Sequence, residues 1–128
     1  MGVPEIVVDP GRAVPPYEQI RQQIAELILA GVLAPHERLP PVRHLAADLG
    51  LATGTVARAY HELETAGLVH SRRGGGTRVA AAPPPEPAKR RAALLAARTR
   101  AYVLDVRRLG ATDAELRAAL ATELAAPQ

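Results

Sequence analysis

Three arginines surround a run of glycines near the middle of this 128-residue chain. Arg72 and Arg73 directly precede three consecutive glycines, and Arg78 follows two residues after the last of them. Between residues 65 and 79 there is no Asp or Glu to neutralise these charges. Glycine lets a backbone approach a surface where a side chain would collide, and guanidinium groups bind phosphate oxygens well. The composition indicates a loop that contacts a phosphate backbone.

The net charge of the whole chain is a weaker indicator than this local cluster. The formal charge is +3, but residues 1–79 contain eight arginines and eight acidic residues, which cancel. The excess lies in residues 80–128, with eight basic and five acidic side chains. Because a concentrated positive patch attracts nucleic acid more than a high average charge does, the argument for DNA rests on the glycine-flanking arginines.

Residue types that support catalysis or metal binding do not occur in the required patterns. The chain has no cysteine, and its four histidines (His36, His44, His61 and His70) lack the spacing of a metal site. We expect them to be surface or half-buried residues. There is no phosphate-binding P-loop motif, no Gly-x-Ser-x-Gly and no pair of catalytic carboxylates. The sequence predicts no enzyme activity, no metal and no cofactor.

Two short helices precede the basic loop and must position it. Val42, Leu45, Ala46 and Leu49 recur at helical spacing before Gly50, and a second periodic set ends at Gly67. That second set comprises Val56, Ala59, Tyr60, Leu63 and Ala66. Short apolar segments at 68–69 and 77–79 flank the glycines and predict a hairpin. Helix, turn, helix and basic hairpin form the layout of a winged helix-turn-helix, whose second helix fits a major groove roughly 12 Å wide.

Earlier residues are expected to support this unit. A helix opening at Pro15-Pro16 and ending at Gly31 should bury Tyr17, Ile20, Ile24, Leu27 and Ile28, and expose Gln19, Gln22 and Gln23. The β-prone run Glu5–Val8 is either a strand that pairs with the hairpin or a disordered arm, and we favour the strand. No leader peptide or run of 18 apolar residues is visible, which favours a soluble cytoplasmic protein.

Three segments in order resemble the DNA-binding half of GntR-type transcriptional regulators. They are LPPVRHLAADLG (39–50), TVARAYHELETAGLV (55–69) and RRGGGTRV (72–79). The remainder resembles the small YtrA-like branch of that family, so the resemblance covers nearly the whole chain. It implies a mainly α fold with a small β wing, a strand at the N-terminus, and a short helical tail that forms dimers. It also implies operons that often encode membrane transporters.

The resemblance and the residue types together predict the DNA-binding residues. Arg43 matches the arginine of the family's Leu-Pro-x-x-Arg motif, whereas Thr53 and Ala57 stand where many members have arginine. Thr53 is the expected N-cap of the second helix, Thr55 the expected hydroxyl near DNA, and Arg58 the one basic side chain of that helix. The predicted set is Arg43, Thr53, Gly54, Thr55, Arg58, Arg72, Arg73, Gly74, Gly75, Gly76, Thr77 and Arg78.

The C-terminal part reads as a separate helical segment behind a proline-rich linker. We expect a winged helix-turn-helix domain over 1–79, a linker over 80–88 containing Pro83–Pro85 and Pro87, and a helical dimerisation tail over 89–128. A long helix should run from Glu86 or Lys89 to Leu109, and Thr112–Glu115 has the form of a capping box for a second. Two such helices rarely hold a core alone. The predicted dimer seam is Leu95, Tyr102, Val106, Leu109, Leu116, Leu120 and Leu124.

These observations favour a homodimeric, sequence-specific regulator, and we expect a repressor that binds a palindromic operator in double-stranded DNA. The alternative is a winged-helix module that binds another protein and not DNA. The dependence of affinity on salt separates the two, because neutralising several phosphates makes affinity fall steeply with salt. The sequence does not identify an effector ligand.

Overall fold

The computed structural model describes residues 5–83 and 88–127, and it divides the chain into two compact units, Met1–Glu86 and Pro87–Gln128. The first unit has the predicted order of three helices and a hairpin: α1 (Pro16–Leu29), α2 (Val42–Leu49), α3 (Thr53–Thr65), β1 (Val69–Arg72) and β2 (Gly76–Val79). The second unit contains α4 (Ala88–Arg107) and α5 (Asp113–Ala125). This architecture confirms the predicted class, mainly α with a small β wing.

The core of the first unit is built from the apolar faces that helical spacing predicted. Ile20 and Ile24 on α1, Val56 and Leu63 on α3, and Val79 on β2 are completely buried. α1 and α2 both pack against α3, and β1 follows on the C-terminal side of α3. Because α3 contacts each of these elements, its position in the unit is fixed, and only its outer face remains available to a partner.

The turn between α2 and α3 depends on Gly50. Its φ is +67°, a left-handed conformation that other residues adopt only with strain. The Leu51 N–H donates to the Ala46 carbonyl at 2.9 Å. This bond satisfies a carbonyl in the last turn of α2, and the helix ends at Leu49. α3 can therefore begin at Thr53, and the two helices are joined by a turn of three residues, 50–52.

The N-terminal prediction was wrong in two respects. Residues 5–9 form no strand; they lie along α1, where Gln23 Oε1 accepts from the Val7 N–H at 3.0 Å and Gln23 Nε2 donates to the Val7 carbonyl at 2.7 Å. Gln19, predicted to be exposed, is 1% exposed and makes the same pair of bonds to Asp9. The side-chain amides supply the donor and acceptor that a neighbouring strand would otherwise offer. Gln22 and Gln23 are half-buried.

The hairpin is joined by a third segment from the connector between α1 and α2. β1 and β2 pair antiparallel with Val69 opposite Val79 and Arg72 opposite Gly76. On the other edge of β2, the Leu39 N–H donates to the Thr77 carbonyl and the Val79 N–H donates to the Glu37 carbonyl, both at 2.8 Å. The connector segment 36–39 therefore lies along the outer edge of β2, with one bridge between Arg38 and Arg78.

In the second unit, α4 and α5 have no buried residue. α5 begins with the predicted capping box: Thr112 Oγ1 accepts from the Glu115 N–H, and the Glu115 carboxylate accepts from the Thr112 N–H. α4 begins at Ala88, and the alternative start at Glu86 lies outside the described residues, as do Pro84, Pro85 and Pro87 of the predicted linker. Within residues 5–83 and 88–127, no helix has both the length and the apolar run needed to cross a bilayer.

Candidate nucleic-acid interface

The first turn of α3 presents small polar residues on its outer face. Thr53 and Gly54 are exposed and Thr55 is half-buried, while Val56 begins the buried face. Gly54 has no neighbouring atom within 4 Å of the position that a Cβ would occupy, so open space lies in front of it. A backbone or base edge of another molecule can approach α3 closely at this point.

Both helices of the helix-turn-helix begin without a side-chain cap. The N-cap of α2 is Pro41 and that of α3 is Ala52, and neither makes a capping hydrogen bond. The prediction that Thr53 caps α3 was wrong by one position, because Thr53 already lies inside the helix. Backbone N–H groups in a first turn have no acceptor within their own helix, and such groups bind anions such as phosphate.

Arg43 is exposed in the first turn of α2. Among the described residues, no carboxylate forms an ion pair with its guanidinium. Its five N–H donors are therefore free to bind a phosphate or the edge of a guanine.

The start of α2 is held to α3 by Tyr60. The Tyr60 hydroxyl donates to the Pro40 carbonyl at 2.7 Å, and burial of the ring raises the pKa of this hydroxyl well above its ordinary value. The phenol is therefore neutral and remains a donor over the physiological range. This bond fixes the distance between the uncapped start of α2 and the body of α3.

Arg58 is held by the protein on the side of α3 that faces α1. Its Cζ lies 3.7 Å from the centre of the Tyr17 ring, and its Nε lies 3.8 Å from Glu62 Oε1. Glu62 also lies 4.0 Å from Arg21, which binds Glu18 and lowers the pKa of that carboxyl. A guanidinium stacked on an aromatic ring contributes roughly 0.5–1 kcal/mol at an exposed site. Arg58 thus contacts both α1 and α3, and 61% of its side chain remains exposed.

The wing turns at two glycines with left-handed backbone. Gly74 and Gly76 have φ values of +77° and +69°, and the Gly75 N–H donates to the Arg72 carbonyl at 2.9 Å. Arg72 and Arg73 are exposed at this turn. Arg78 is half-buried, and its Nη1 donates to the His36 carbonyl at 3.1 Å. Thr77 is half-buried, with its hydroxyl 3.0 Å from that of Ser71.

One carboxylate of α3 binds the wing directly, in addition to the shared core. Glu64, in the last turn of α3, accepts a hydrogen bond from the Ser71 N–H at 2.9 Å. The N–H of Ser71 faces the free edge of β1, because the other edge pairs with β2. The glycine turn of the wing and α3 are therefore parts of one surface.

Arg38 was not among the predicted site residues. This exposed side chain lies on the connector segment, opposite Arg78, and its guanidinium lies against Gly76. The pairing of this connector with a strand 40 residues later has no local signal in the sequence. The four histidines are where expected: His36, His44 and His61 are exposed and His70 is half-buried.

The predicted tail residues are mostly exposed in the single chain. Leu95, Tyr102, Leu109, Leu120 and Leu124 are 39–84% exposed, whereas Val106 and Leu116 are half-buried. On and just after α4, Leu95, Tyr102 and Leu109 follow one another at intervals of seven residues, as on one face of a helix. Leu104, which was not predicted, is also 53% exposed.

Comparison with known proteins places these features in context. Residues 16–79 match the family described as "Bacterial regulatory proteins, gntR family". The chain is 45% identical over 69 residues to the transcriptional repressor YtrA of Bacillus subtilis, a stretch that covers 54% of this chain and 53% of that protein. This chain therefore spans about half the length of the curated relatives that it matches.

Solved structures show the same fold. YtrA from Sulfolobus acidocaldarius, a GntR-family transcription factor, is 32% identical with a TM-score of 0.55, over 75% of this chain and 97% of that chain. The DNA-binding domain of AraR in complex with operator ORX1 is 29% identical with a TM-score of 0.53, over 59% of this chain and 95% of that one. The family match extends over half of the residues and includes all three helices and the wing of the first unit. This chain belongs to the gntR family of bacterial regulatory proteins and has a winged helix-turn-helix fold.

Proposed function

We propose that this protein is a transcriptional regulator that binds operator DNA as a homodimer and acts by binding rather than by catalysis. The observation that carries the proposal is the surface formed by the open start of α3, Arg43 and the basic wing, all fixed to one core. The AraR domain, which shares the fold, is described in complex with an operator, and the Bacillus YtrA is named a repressor. Repression in the bacterial cytoplasm, where the chromosome lies, is the corresponding activity for this chain.

In this proposal α3 enters the major groove with its N-terminal turn foremost. Thr53, Gly54 and Thr55 are short, so they can contact base edges only where the helix lies deep in the groove. The uncapped N–H groups of α2 and α3 bind backbone phosphates and set the register. Arg43 supplies the long charged side chain that α3 lacks on this surface. Specificity then rests on a few direct contacts and on the shape of the DNA.

Arg58 contributes indirectly in this arrangement. Its stack on Tyr17 and its ion pair with Glu62 hold α3 against α1, which keeps the reading face at a fixed angle. We therefore propose that Arg58 is a positioning residue and that Thr55 makes the direct contact. Replacing Thr55 by Val, which has the same shape, should reduce operator binding more than binding to random DNA.

The helical tail, residues 89–128, is the proposed dimerisation segment. Seven apolar residues on 89–128 are the proposed dimer seam, and five of them are largely exposed in the single chain. Burying such side chains is worth roughly 1.5–3 kcal/mol each, which favours association over exposure to water. A dimer places two wings and two α3 helices on one duplex, so the operator should be palindromic. The transporter operons implied by the family resemblance remain candidates for the regulated genes.

The salt dependence of DNA binding tests this proposal. A preferred duplex would be selected from random double-stranded DNA, and its dissociation constant measured by fluorescence anisotropy at several salt concentrations. Each neutralised phosphate contributes about 0.9 to the slope of log affinity against log salt. The combined replacement of Arg72 and Arg73 by Ala should lower that slope by up to about 2, for the selected duplex and for random DNA alike.

The two possible failures are distinct. If wild-type protein selects no sequence and binds duplex DNA with no salt slope, the function is not DNA binding and a protein partner must be sought. If wild-type protein binds DNA but the double variant keeps the full slope, the regulator assignment stands and the wing does not contact the backbone.

A further inference from the structure

The wing is a two-stranded sheet bordered by the connector segment 36–39, and it has one apolar and one basic face. Val69, Val79 and Leu39 point into the core and are at most 3% exposed. Side chains alternate between the two faces of a sheet, so the residues next to these three along each segment point outward. The outward set, which we call the basic wing face, consists of Arg38, His70, Arg72 and Arg78. It contains three arginines and no acidic residue.

Arg38 and Arg78 occupy the closest type of cross-strand pair. They lie directly opposite each other in an antiparallel bridge, and the hydrogen bonds on either side are made by their neighbours, Leu39 to Thr77 and Val79 to Glu37. In such a non-hydrogen-bonded pair the Cα atoms are about 4.5 Å apart and the side chains are adjacent. His70 lies opposite Arg78 on the next strand, which extends the row across the wing.

The guanidinium of Arg38 extends along this face to the glycine turn. A Cβ added to Gly76 would lie 2.9 Å from Arg38 Nε and 3.0 Å from Nη2. The absence of a side chain at Gly76 therefore makes room for Arg38, which reaches toward the end of the wing where Arg72 lies opposite Gly76. Arg38 and Arg72 therefore lie at the glycine end of this face, whereas the Arg78 guanidinium donates to the His36 carbonyl at 3.1 Å.

The arginines of the basic wing face have no ion-pair partner in the described part of the chain. No described carboxylate forms an ion pair with Arg38, Arg72 or Arg78. The two nearest acidic residues in the strands and in α3 are already engaged: Glu37 accepts from the Ala34 N–H, and Glu64 accepts from the Ser71 N–H. Like charges directly opposite each other destabilise a sheet, so the arrangement calls for an anion from outside the chain.

We propose that Arg38 is a phosphate-binding residue, and that the basic wing face, together with the glycine tip, grips the backbone of double-stranded DNA. This inference rests on the proposed function and extends it, because the DNA contact then includes a residue from the connector before the helix-turn-helix. The planar fork of Arg38 is suited to two oxygens of one phosphate.

The test compares three variants by their salt slopes on a fixed duplex. Arg38→Gln removes the charge and keeps the length, Arg38→Lys keeps the charge, and Arg12→Gln removes an exposed arginine outside the wing. We expect Arg38→Gln to lower the slope by about 0.9, and Arg38→Lys and Arg12→Gln to leave it unchanged. An unchanged slope in Arg38→Gln, with wild-type DNA binding intact, would overturn the inference and leave the proposed function standing. If the wild-type protein itself did not bind DNA, the proposed function would be refuted instead.

A thermal measurement on the free protein separates binding from folding. Because Arg38 faces Arg78, the Arg38→Gln variant should unfold at the same temperature as wild type or higher, most clearly at low salt. Weaker DNA binding together with unchanged or higher thermal stability would support the inference. A clearly lower unfolding temperature would mean that Arg38 is needed for the wing to fold, and would overturn it.

Discussion

The two units of this chain use apolar residues in opposite ways. In the first unit, Ile20, Ile24 and Leu63 are 0% exposed, and the helices and the wing share one core. In the second unit, Leu109 is 84% and Leu124 78% exposed, and neither helix buries a residue. The first unit therefore has a core of its own, and the exposed apolar residues of the second are the observation that supports the proposed dimer.

The helix starts show a second contrast. α5 satisfies its own first turn through the reciprocal bonds of Thr112 and Glu115. α2 and α3 leave theirs open, at a general cost of about 1 kcal/mol for each missing cap. α1 begins in the same way after Pro15, so the three helices of the first unit all lack a side-chain cap, and the open starts of α2 and α3 lie on the proposed DNA-binding surface.

The largest expected effect comes from removing the tail. A chain that ends after Ala82 should fold, sediment as a monomer and bind one half-site. Its affinity for the full operator should fall by roughly 10²–10⁴-fold, because the second half-site is no longer held at high effective concentration. A dimer of the truncated chain in light scattering would assign the interface to the first unit.

Paired core and seam substitutions sharpen the comparison. Leu63→Ala should destabilise the first unit by about 2–5 kcal/mol in chemical unfolding, with no change in subunit association. Leu124→Ala should leave the unfolding of the first unit unchanged and should weaken association, measured by sedimentation over a range of concentrations. If Leu124→Ala instead destabilised the first unit and Leu63→Ala weakened association, the tail would belong to the core.

Arg43→Ala should weaken operator binding at least tenfold, which corresponds to about 1.4 kcal/mol. Its guanidinium is exposed and forms no ion pair in the described part of the chain, so thermal stability should not change. If this variant bound the operator with wild-type affinity, Arg43 would be only a solvated surface charge.

The smallest effect concerns the cap of α5 in acid. Hydrogen bonds from Thr112 lower the pKa of the Glu115 carboxyl from its ordinary 4.5. Its contribution is therefore fully present above pH 4.5 and is lost as the pH falls through the lowered value. Helicity by circular dichroism should fall over this range more in wild type than in Glu115→Gln, whose amide does not titrate. Equal curves would show that the cap has no measurable role.

Features with local signals were predictable, and features formed by distant segments were not. The 3.6-residue spacing of Val56, Ala59 and Leu63 and the stops at Gly50 and Gly67 gave the helices. The burial of Gln19 was not predictable. A polar amide is buried only where it finds hydrogen-bonding partners, and its partner here is the backbone of Asp9, ten residues earlier. The pairing of Arg38 with Arg78 joins residues 40 positions apart, and no periodicity encodes it.

The most direct test of the two-unit account is a hydroxyl-radical footprint of the full chain on its selected operator, beside that of the chain ending at Ala82. The account predicts two equal protected patches for the full chain, separated by one helical turn of about 10–10.5 base pairs or a multiple of it. The truncated chain should protect either patch independently and only at higher concentration. A single patch for the full chain, or two patches that persist together without the tail, would contradict the account.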